Sequence, residues 1–341
     1  RGKKVLRALP RINEEINEEW ISDKSRFAID GLSRQRLDSV YMKLNGKLQK
    51  SSWDNAFSLI HDQIIKRGKQ NSVFLSGKFT DAETLFSAKK FSESLKSFYY
   101  DCRFDNAQFI ENSNESFKFN STIQEIENSD AILLIGTNPR WEAAVLNARI
   151  RKTFLENNCQ IGVIGPKVNQ TYRYNHLSDS LNYLNELSDG NTDFNRVLNN
   201  AKNPLIIIGT SAINTADGKK ILETSAALAK KIQKNKDINP LNILYQDISR
   251  VGALELNFYN KYFDNNYNLQ LKKHIDTNKP VVFLMGLDEV DLSILKNAYV
   301  IYLGHHGDKS ASVADVILPT PAYTEKTSTY MNIEGRVIQT N

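Results

Sequence analysis

Cysteine is scarce in this sequence. The 341 residues include two cysteines, Cys102 and Cys159, which lie far apart in the chain. Two thiols cannot form a disulfide scaffold, and they cannot supply the four ligands of an all-cysteine zinc or iron–sulfur site. Neither cysteine has a second cysteine or a histidine beside it. We therefore expect both to be buried or unreactive thiols.

Long apolar runs and a strong net charge are also missing. No segment reaches the ~18 consecutive apolar residues that indicate a membrane-spanning helix. The 44 basic and 39 acidic residues leave a net charge of +5, and no stripe of lysine and arginine points to a nucleic acid. The sequence begins at Arg1, without the apolar segment of a signal peptide, and stops at Asn341. We expect both ends to be cut from a longer chain.

What the sequence does contain is a series of short apolar runs, most of which end at glycine. Continuous apolarity over this length is typical of parallel strands buried on both faces, and the glycine permits a sharp turn. The runs are Ser72–Gly77, Ala131–Gly136, Ile161–Gly165, Pro204–Gly209, Pro280–Gly286 and Ala298–Gly304, with a weaker seventh at Leu241–Tyr245.

Segments with helical periodicity separate these runs, at Asp81–Ser94, Trp141–Leu155 and Asp217–Ile232. The alternation of strand and helix predicts a doubly wound α/β fold. The asparagine-rich, irregular stretch Ser188–Asn203 is the expected boundary between two lobes. Around the acidic run that follows Ile12, apolar residues at helical spacing predict one amphipathic helix up to Trp20.

Three loops are candidate sites. Gly136–Pro139 follows a buried strand and could hold an anion at a helix start, or could be a tight strand-to-helix connection. His305 and His306 follow another strand and could serve a metal or acid–base site, or form a polar loop with one packed histidine. The charged loop containing Glu325, Glu334 and Arg336 could bind an anionic cofactor or form ion pairs between lobes. Ordinary nucleotide-binding and nucleophile motifs are absent from the sequence.

Three longer blocks resemble one family. They are Arg11–Phe27 with its continuation Gly31–Leu37, Gly136–Lys152, and Gly304–Thr340. Together they are similar to the large iron–sulfur subunit (75 kDa) of respiratory complex I, NADH:ubiquinone oxidoreductase. The resemblance covers the chain from near Arg7 to its last residue.

The resemblance implies two facing, doubly wound parallel-sheet lobes of the molybdopterin-oxidoreductase type. The implied division is a segment 1–45 that follows the cluster-bearing region, a first α/β lobe at 46–200 and a second at 201–341, with lobes that can be discontinuous in sequence. In cofactor-bearing relatives, the equivalent loops line the cofactor cleft. Here that cleft is expected to be vestigial, without catalytic residues, metal ligands or cofactor, and its candidate residues are Gly136, Asn138, His305, His306, Glu334 and Arg336.

The family's clusters are not expected in this chain. Some bacterial relatives have one further cluster whose last cysteine lies in a Trp-x-Cys-Asp context, and Ser22 occupies that position in Trp20–Lys24. A hydroxyl is a poor replacement for a thiolate at an iron–sulfur site. The iron–sulfur clusters are therefore expected in a partner or in a missing amino-terminal part.

The implied function is a structural part of the peripheral arm of complex I, on the matrix side of the mitochondrial inner membrane. It would support electron transfer from NADH to ubiquinone through clusters held elsewhere. The implied partners are the cluster-bearing part of the same subunit and other peripheral-arm subunits, without a direct membrane span. The alternative is a molybdopterin-dependent oxidoreductase subunit similar to formate dehydrogenase.

Overall fold

The computed structural model describes residues 4–190, 192–261 and 267–341. In these ranges the strands are Val40–Leu44 (β1), Lys47–Ser51 (β2), Val73–Ser76 (β3), Tyr99–Asp101 (β4), Ala131–Ile135 (β5), Gln160–Ile164 (β6), Asn175–Ser178 (β7), Pro204–Gly209 (β8), Leu241–Leu244 (β9), Val281–Met285 (β10), Tyr299–Gly304 (β11), Val316–Pro319 (β12), Thr329–Met331 (β13) and Val337–Gln339 (β14).

The α-helices in the same ranges are Asp23–Phe27 (α1), Trp53–Arg67 (α2), Ala82–Ser94 (α3), Pro139–Glu142 (α4), Ala144–Glu156 (α5), Tyr183–Ser188 (α6), Asp193–Asn200 (α7), Thr210–Ile213 (α8), Gly218–Ile232 (α9), Arg250–Glu255 (α10), Tyr267–Asn278 (α11) and Lys309–Val313 (α12). Short 3-10 helices cover Ala28–Ser33, Lys69–Asn71, Asn114–Phe117, Gln124–Asn128 and Leu292–Leu295. No helix of the described residues is both long enough and apolar enough to cross a membrane.

Two large sheets carry the fold. One has five strands in the order β7-β6-β5-β8-β9, all parallel. The chain winds outward from β5 on one side and then returns to add β8 and β9 on the other. A sheet that is built outward from its centre in both directions is called doubly wound. The predicted α/β fold class is therefore confirmed, and so are all seven predicted strands.

The second sheet repeats this winding with a permuted chain order. Its strands run β2-β1-β12-β11-β10-β3-β4, in which β10, β11 and β12 take the places of β5, β6 and β7. β3 and β4 take the places of β8 and β9 although they come earlier in the chain. The whole five-stranded sheet is thus inserted between β4 and β10. The β1–β2 hairpin adds two antiparallel strands at one edge.

One core cluster spans both sheets. It contains Phe74 and Phe283 from the seven-stranded sheet and Leu133 and Ile206 from the five-stranded sheet. The strand side chains that alternate with the members of this cluster point to the opposite face of each sheet. In the seven-stranded sheet they form a second cluster with α11, and in the five-stranded sheet they form a third cluster with α5. Because successive side chains of a strand point to opposite faces, both faces of each sheet are covered.

The sheets group the chain differently from the division expected at residue 200. β5 and β8 pair directly, although they lie on opposite sides of that residue. None of the seven apolar runs lies in the segment 1–45, which nevertheless contains β1. Val40 and Met42 of β1 are nonetheless buried, because β1 pairs with β12 at the sheet edge.

Two local predictions were wrong. The stretch Ser188–Asn203 is not irregular, since it contains α7, which begins where the Thr192 hydroxyl accepts a hydrogen bond from the Asn195 amide at 3.2 Å. The predicted helix up to Trp20 is instead a turn. The Asn13 carbonyl accepts the amides of Asn17 and Glu18 and an Asn13–Glu18 bridge closes the turn.

Candidate functional site

In the five-stranded sheet the strand order reverses between β5 and β8. Ligands of open α/β sheets commonly bind at such a point, beyond the carboxyl ends of the strands. Here the Gly136 amide donates to the Ile164 carbonyl at 2.8 Å, and the Gly136 carbonyl accepts a hydrogen bond from the Ser211 hydroxyl. A Cβ atom on Gly209 would lie 2.5 Å from the Gly136 oxygen. The segments that follow β5 and end β8 are therefore in direct backbone contact.

The next residues of this loop hold a carboxylate from the chain itself. The Thr137 hydroxyl donates to Glu142 Oε2 at 2.6 Å, and the Asn138 amide donates to Glu142 Oε1 at 3.0 Å. A phosphate at these groups would be repelled by the charge of Glu142. The contacts are those of a tight strand-to-helix connection, with Pro139 at the first position of α4.

The seven-stranded sheet is closed in the same way between β10 and β3. The Gly77 amide donates to the Met285 carbonyl at 2.9 Å, and the Gly286 amide donates to the Leu303 carbonyl at 2.7 Å. A Cβ atom on Gly77 would lie 1.9 Å from the Gly286 oxygen. Gly136 and Gly286 both have positive φ angles, of 54° and 58°. Both lobes therefore use one glycine arrangement to join their central strands.

His305 and His306 contact the amino-terminal segment. The His305 carbonyl accepts hydrogen bonds from Arg36 Nε at 3.1 Å and from the Leu37 amide at 3.0 Å. His306 Nε2 lies 2.7 Å from the Gly31 carbonyl oxygen. Burial lowers the pKa of His305 to about 4, and the neighbouring His306 and Arg36 act in the same direction. The described residues contain no group of three or more His, Cys, Asp or Glu side chains that could hold a metal ion.

Arg36 is the residue of this region that sequence reasoning missed. It forms a two-point ion pair with Glu325, at 2.7 and 2.5 Å, and the hydrogen bond from Arg36 lowers the pKa of Glu325 to about 2. The next residue, Lys326, pairs with Asp81. No local signal marks Arg36, because its partner lies 289 residues away in the chain.

Glu334 and Arg336 belong to a third region. Glu334 Oε1 accepts a hydrogen bond from the Ile123 amide at 2.6 Å, and Arg336 pairs with Glu15 of the amino-terminal segment. The six candidate residues thus lie in three groups with different partners. The described residues show no hydrogen bond or ion pair that joins one group to another.

The Ser22 side chain lies at the start of a helix. Its hydroxyl accepts a hydrogen bond from the Ser25 amide at 3.2 Å and caps α1. Cys102 and Cys159 lie outside this segment and are buried, as predicted, and burial raises the pKa of both thiols to about 12. The residues around Ser22 therefore do not fit an iron–sulfur cluster, which needs thiolate ligands.

A groove of about 910 Å³, which we call the interlobe groove, lies at the strand ends of both sheets. Phe79 follows β3, Ile248 follows β9 and His306 follows β11, and all three line it. The amino-terminal segment and the β13–β14 hairpin complete its walls. Its lining is mainly apolar. Two cationic side chains, Lys24 and Arg34, also belong to the lining.

Family comparisons agree with this architecture. Residues 36–341 match the molybdopterin oxidoreductase family model, and residues 1–30 match the NADH-ubiquinone oxidoreductase NDSU1/NuoG-like 4Fe-4S domain. An acetylene hydratase from Pelobacter acetylenicus has a similar fold, with a TM-score of 0.65 at 13% identity over 94% of this chain and 60% of that chain.

Curated relatives match nearly the whole chain. The NADH-ubiquinone oxidoreductase 75 kDa subunit of Reclinomonas americana is 39% identical over 100% of this chain and 51% of its own length. The mitochondrial 78 kDa subunit of Candida albicans is 40% identical over 99% of this chain and 46% of its own length. The corresponding NADH-quinone oxidoreductase polypeptide of Rickettsia felis is 38% identical over 98% of this chain and 48% of its own length.

The chain spans about half the length of these relatives. Its two permuted, doubly wound sheets match the fold that the family comparison indicates. The chain belongs to the molybdopterin oxidoreductase family, and the curated relatives that it matches are 75/78 kDa subunits of NADH-ubiquinone oxidoreductase.

Proposed function

We propose that this chain is a structural, cofactor-free part of the peripheral arm of respiratory complex I. The observation that carries the proposal is the similarity of 38–40% identity along essentially the entire chain to subunits of that enzyme. The complex transfers electrons from NADH to ubiquinone and translocates protons. This chain supports the clusters that carry those electrons without holding one itself.

The chain's own residues support a scaffolding role. Both strand-order reversals are closed by glycine contacts, at Gly136 and Gly286, and Glu142 occupies the loop that could hold an anion. Ser22 replaces the thiolate that a further cluster would need. We propose two lobes, one with the five-stranded sheet at 131–244 and one with the strands before and after it.

The proposed partners are the cluster-bearing part of the same subunit and other peripheral-arm subunits. The proposed location is the matrix side of the mitochondrial inner membrane, because two relatives are named as mitochondrial subunits. The formate dehydrogenase-like alternative gains no support from the relatives, which are named as complex I subunits.

Co-purification tests this function. We expect the chain to migrate with a cluster-bearing polypeptide in a large complex solubilised from membranes. Purified away from that complex, the chain should contain neither stoichiometric iron nor acid-labile sulfide. Migration as a separate small protein, or stoichiometric iron and sulfide in the isolated chain, would contradict the proposal.

A further inference from the structure

We propose that the interlobe groove is a docking surface for a polypeptide, namely an apolar segment with acidic flanks on the cluster-bearing partner. This inference rests on the proposed function and adds to it the place and chemistry of contact. In the cofactor-bearing type of fold, the strand ends face a small molecule. Here they face a groove whose lining suits another protein.

The groove exposes large apolar side chains. Phe79 is 62% exposed, Tyr323 is 44% exposed and Ile338 is 39% exposed, although all three line one concave surface. Burial of apolar surface is favourable by roughly 25 cal/mol per Å². Exposed aromatic groups that line one groove are typical of the buried centre of a protein interface.

The charge of the groove lining indicates which kind of partner would bind there. Lys24 and Arg34 are exposed at the groove, and the described residues that line it include no carboxylate. A partner with acidic residues beside its apolar segment would complement this surface, whereas a basic partner would be repelled.

The amino-terminal wall indicates which polypeptide docks. Residues from Ala8 to Ala28 form this wall, and they lie within the region 1–30 that matches a 4Fe-4S domain. The curated relatives contain about as much sequence again beyond the matched half. The polypeptide that carries the rest of such a domain is thus expected next to this wall, and the wall borders the groove.

Site-specific cross-linking tests the docking surface in the assembled complex. A photoreactive phenylalanine analogue at position 79 should cross-link to the cluster-bearing polypeptide. The same analogue at position 86 is the control, because Phe86 is 51% exposed on α3 and does not line the groove. Cross-links from position 79 to a second copy of this chain, to lipid or to another subunit would overturn the proposal. Equal cross-linking from both positions would overturn it as well.

Binding measurements with the full chain provide the second test. Phe79→Asp and Lys24→Glu should each weaken association with the cluster-bearing polypeptide by about tenfold or more, and Phe86→Asp should leave it unchanged. Thermal unfolding of each variant verifies that it folds. Unchanged affinity in both groove variants would overturn the inference while leaving the proposed function intact. Failure of the wild-type chain to bind would instead contradict the proposed function itself.

Discussion

At the scale of single residues, Glu142 supplies from within the chain the negative charge that a bound anion would bring to the Gly136–Pro139 loop. Its carboxylate accepts hydrogen bonds from both Thr137 and Asn138. A side chain that accepts a hydrogen bond from an amide at a helix start contributes about 1 kcal/mol, within a range of roughly 0.5–2.

We therefore expect Glu142→Ala to lower the free energy of unfolding by about 1 kcal/mol, measured by urea denaturation at pH 7. Glu156→Ala is the matched control, because Glu156 is exposed at the end of α5, and it should change stability little. Equal effects of the two substitutions would contradict the role assigned to Glu142.

His305 makes stability depend on pH. Burial lowers its pKa from the ordinary 6.5 to about 4 in the folded chain. Between these values the unfolded chain binds a proton that the folded chain does not, so stability falls as the pH is lowered from 6.5 to 4. We expect a shallower pH dependence of the unfolding free energy in His305→Gln. His61→Gln, at an exposed position, should keep the wild-type slope, and identical slopes in all three proteins would refute the effect.

The sequence predicts the burial of a single residue well when that burial follows from the apolar residues around it in the chain. The two cysteines are buried because apolar neighbours of the sheets surround them. The contacts of His306 with Gly31 and of Arg336 with Glu15 could not be predicted, because each joins residues more than 270 positions apart. Only the folded topology brings such pairs together.

At the scale of elements, the buried strands were predictable because apolar runs that end at glycine are a strong and local signal. Two elements were missed for identifiable reasons. Asparagine-rich composition hid α7, although Thr192 is a good helix cap. Helical spacing near Ile12 was overridden by Asn13 and Asn17, whose backbone and side chains close a turn.

The amino-terminal segment is held against β11 by few contacts. The Leu37 amide donates to the His305 carbonyl and the Gly307 amide donates to the Gln35 carbonyl, beside the Arg36–Glu325 ion pair. Loss of this two-point pair should loosen the part of the segment around Arg36.

We expect Arg36→Ala to raise the hydrogen-exchange rates of the Leu37 and Gly307 amides by about tenfold, a change of ~1.4 kcal/mol in local opening. Lys50→Ala removes another exposed cation, which lies 3.8 Å from Asp38, and should leave both rates unchanged. Unaltered exchange in Arg36→Ala would show that the segment is held by other contacts.

At the scale of the whole molecule, a buried charge network links the chain segments before and after the inserted five-stranded sheet. Arg250, on α10 after the five-stranded sheet, donates to Asp105 at 2.9 Å and to Asp247 at 3.1 Å. Asp105 follows β4 of the seven-stranded sheet and Arg250 follows β9 of the five-stranded sheet, so the guanidinium links the chain segments before and after the inserted sheet. Arg250 is 1% exposed, and removal of one partner from such a pair leaves buried charge uncompensated.

Arg250→Ala should therefore destabilise the chain by about 3–5 kcal/mol, measured by chemical denaturation. The matched control is Arg196→Ala. The Arg196 side chain is 79% exposed and pairs with Asp193 within one helix, so its loss should cost about 0–1 kcal/mol. A small effect at Arg250 would contradict the contribution to stability that is assigned to this network.

The insertion of one sheet within the other also sets an order of events during synthesis. All strands of the five-stranded sheet lie between β5 and β9, so this sheet can form as soon as they leave the ribosome. β3 must wait for β10, its neighbour in the seven-stranded sheet, and remains unpaired on that side while the entire inserted lobe is made. An apolar strand left exposed for that interval is prone to aggregation. The strands that precede the inserted sheet are thus made before it but are completed after it, which extends the time during which their apolar edge is exposed.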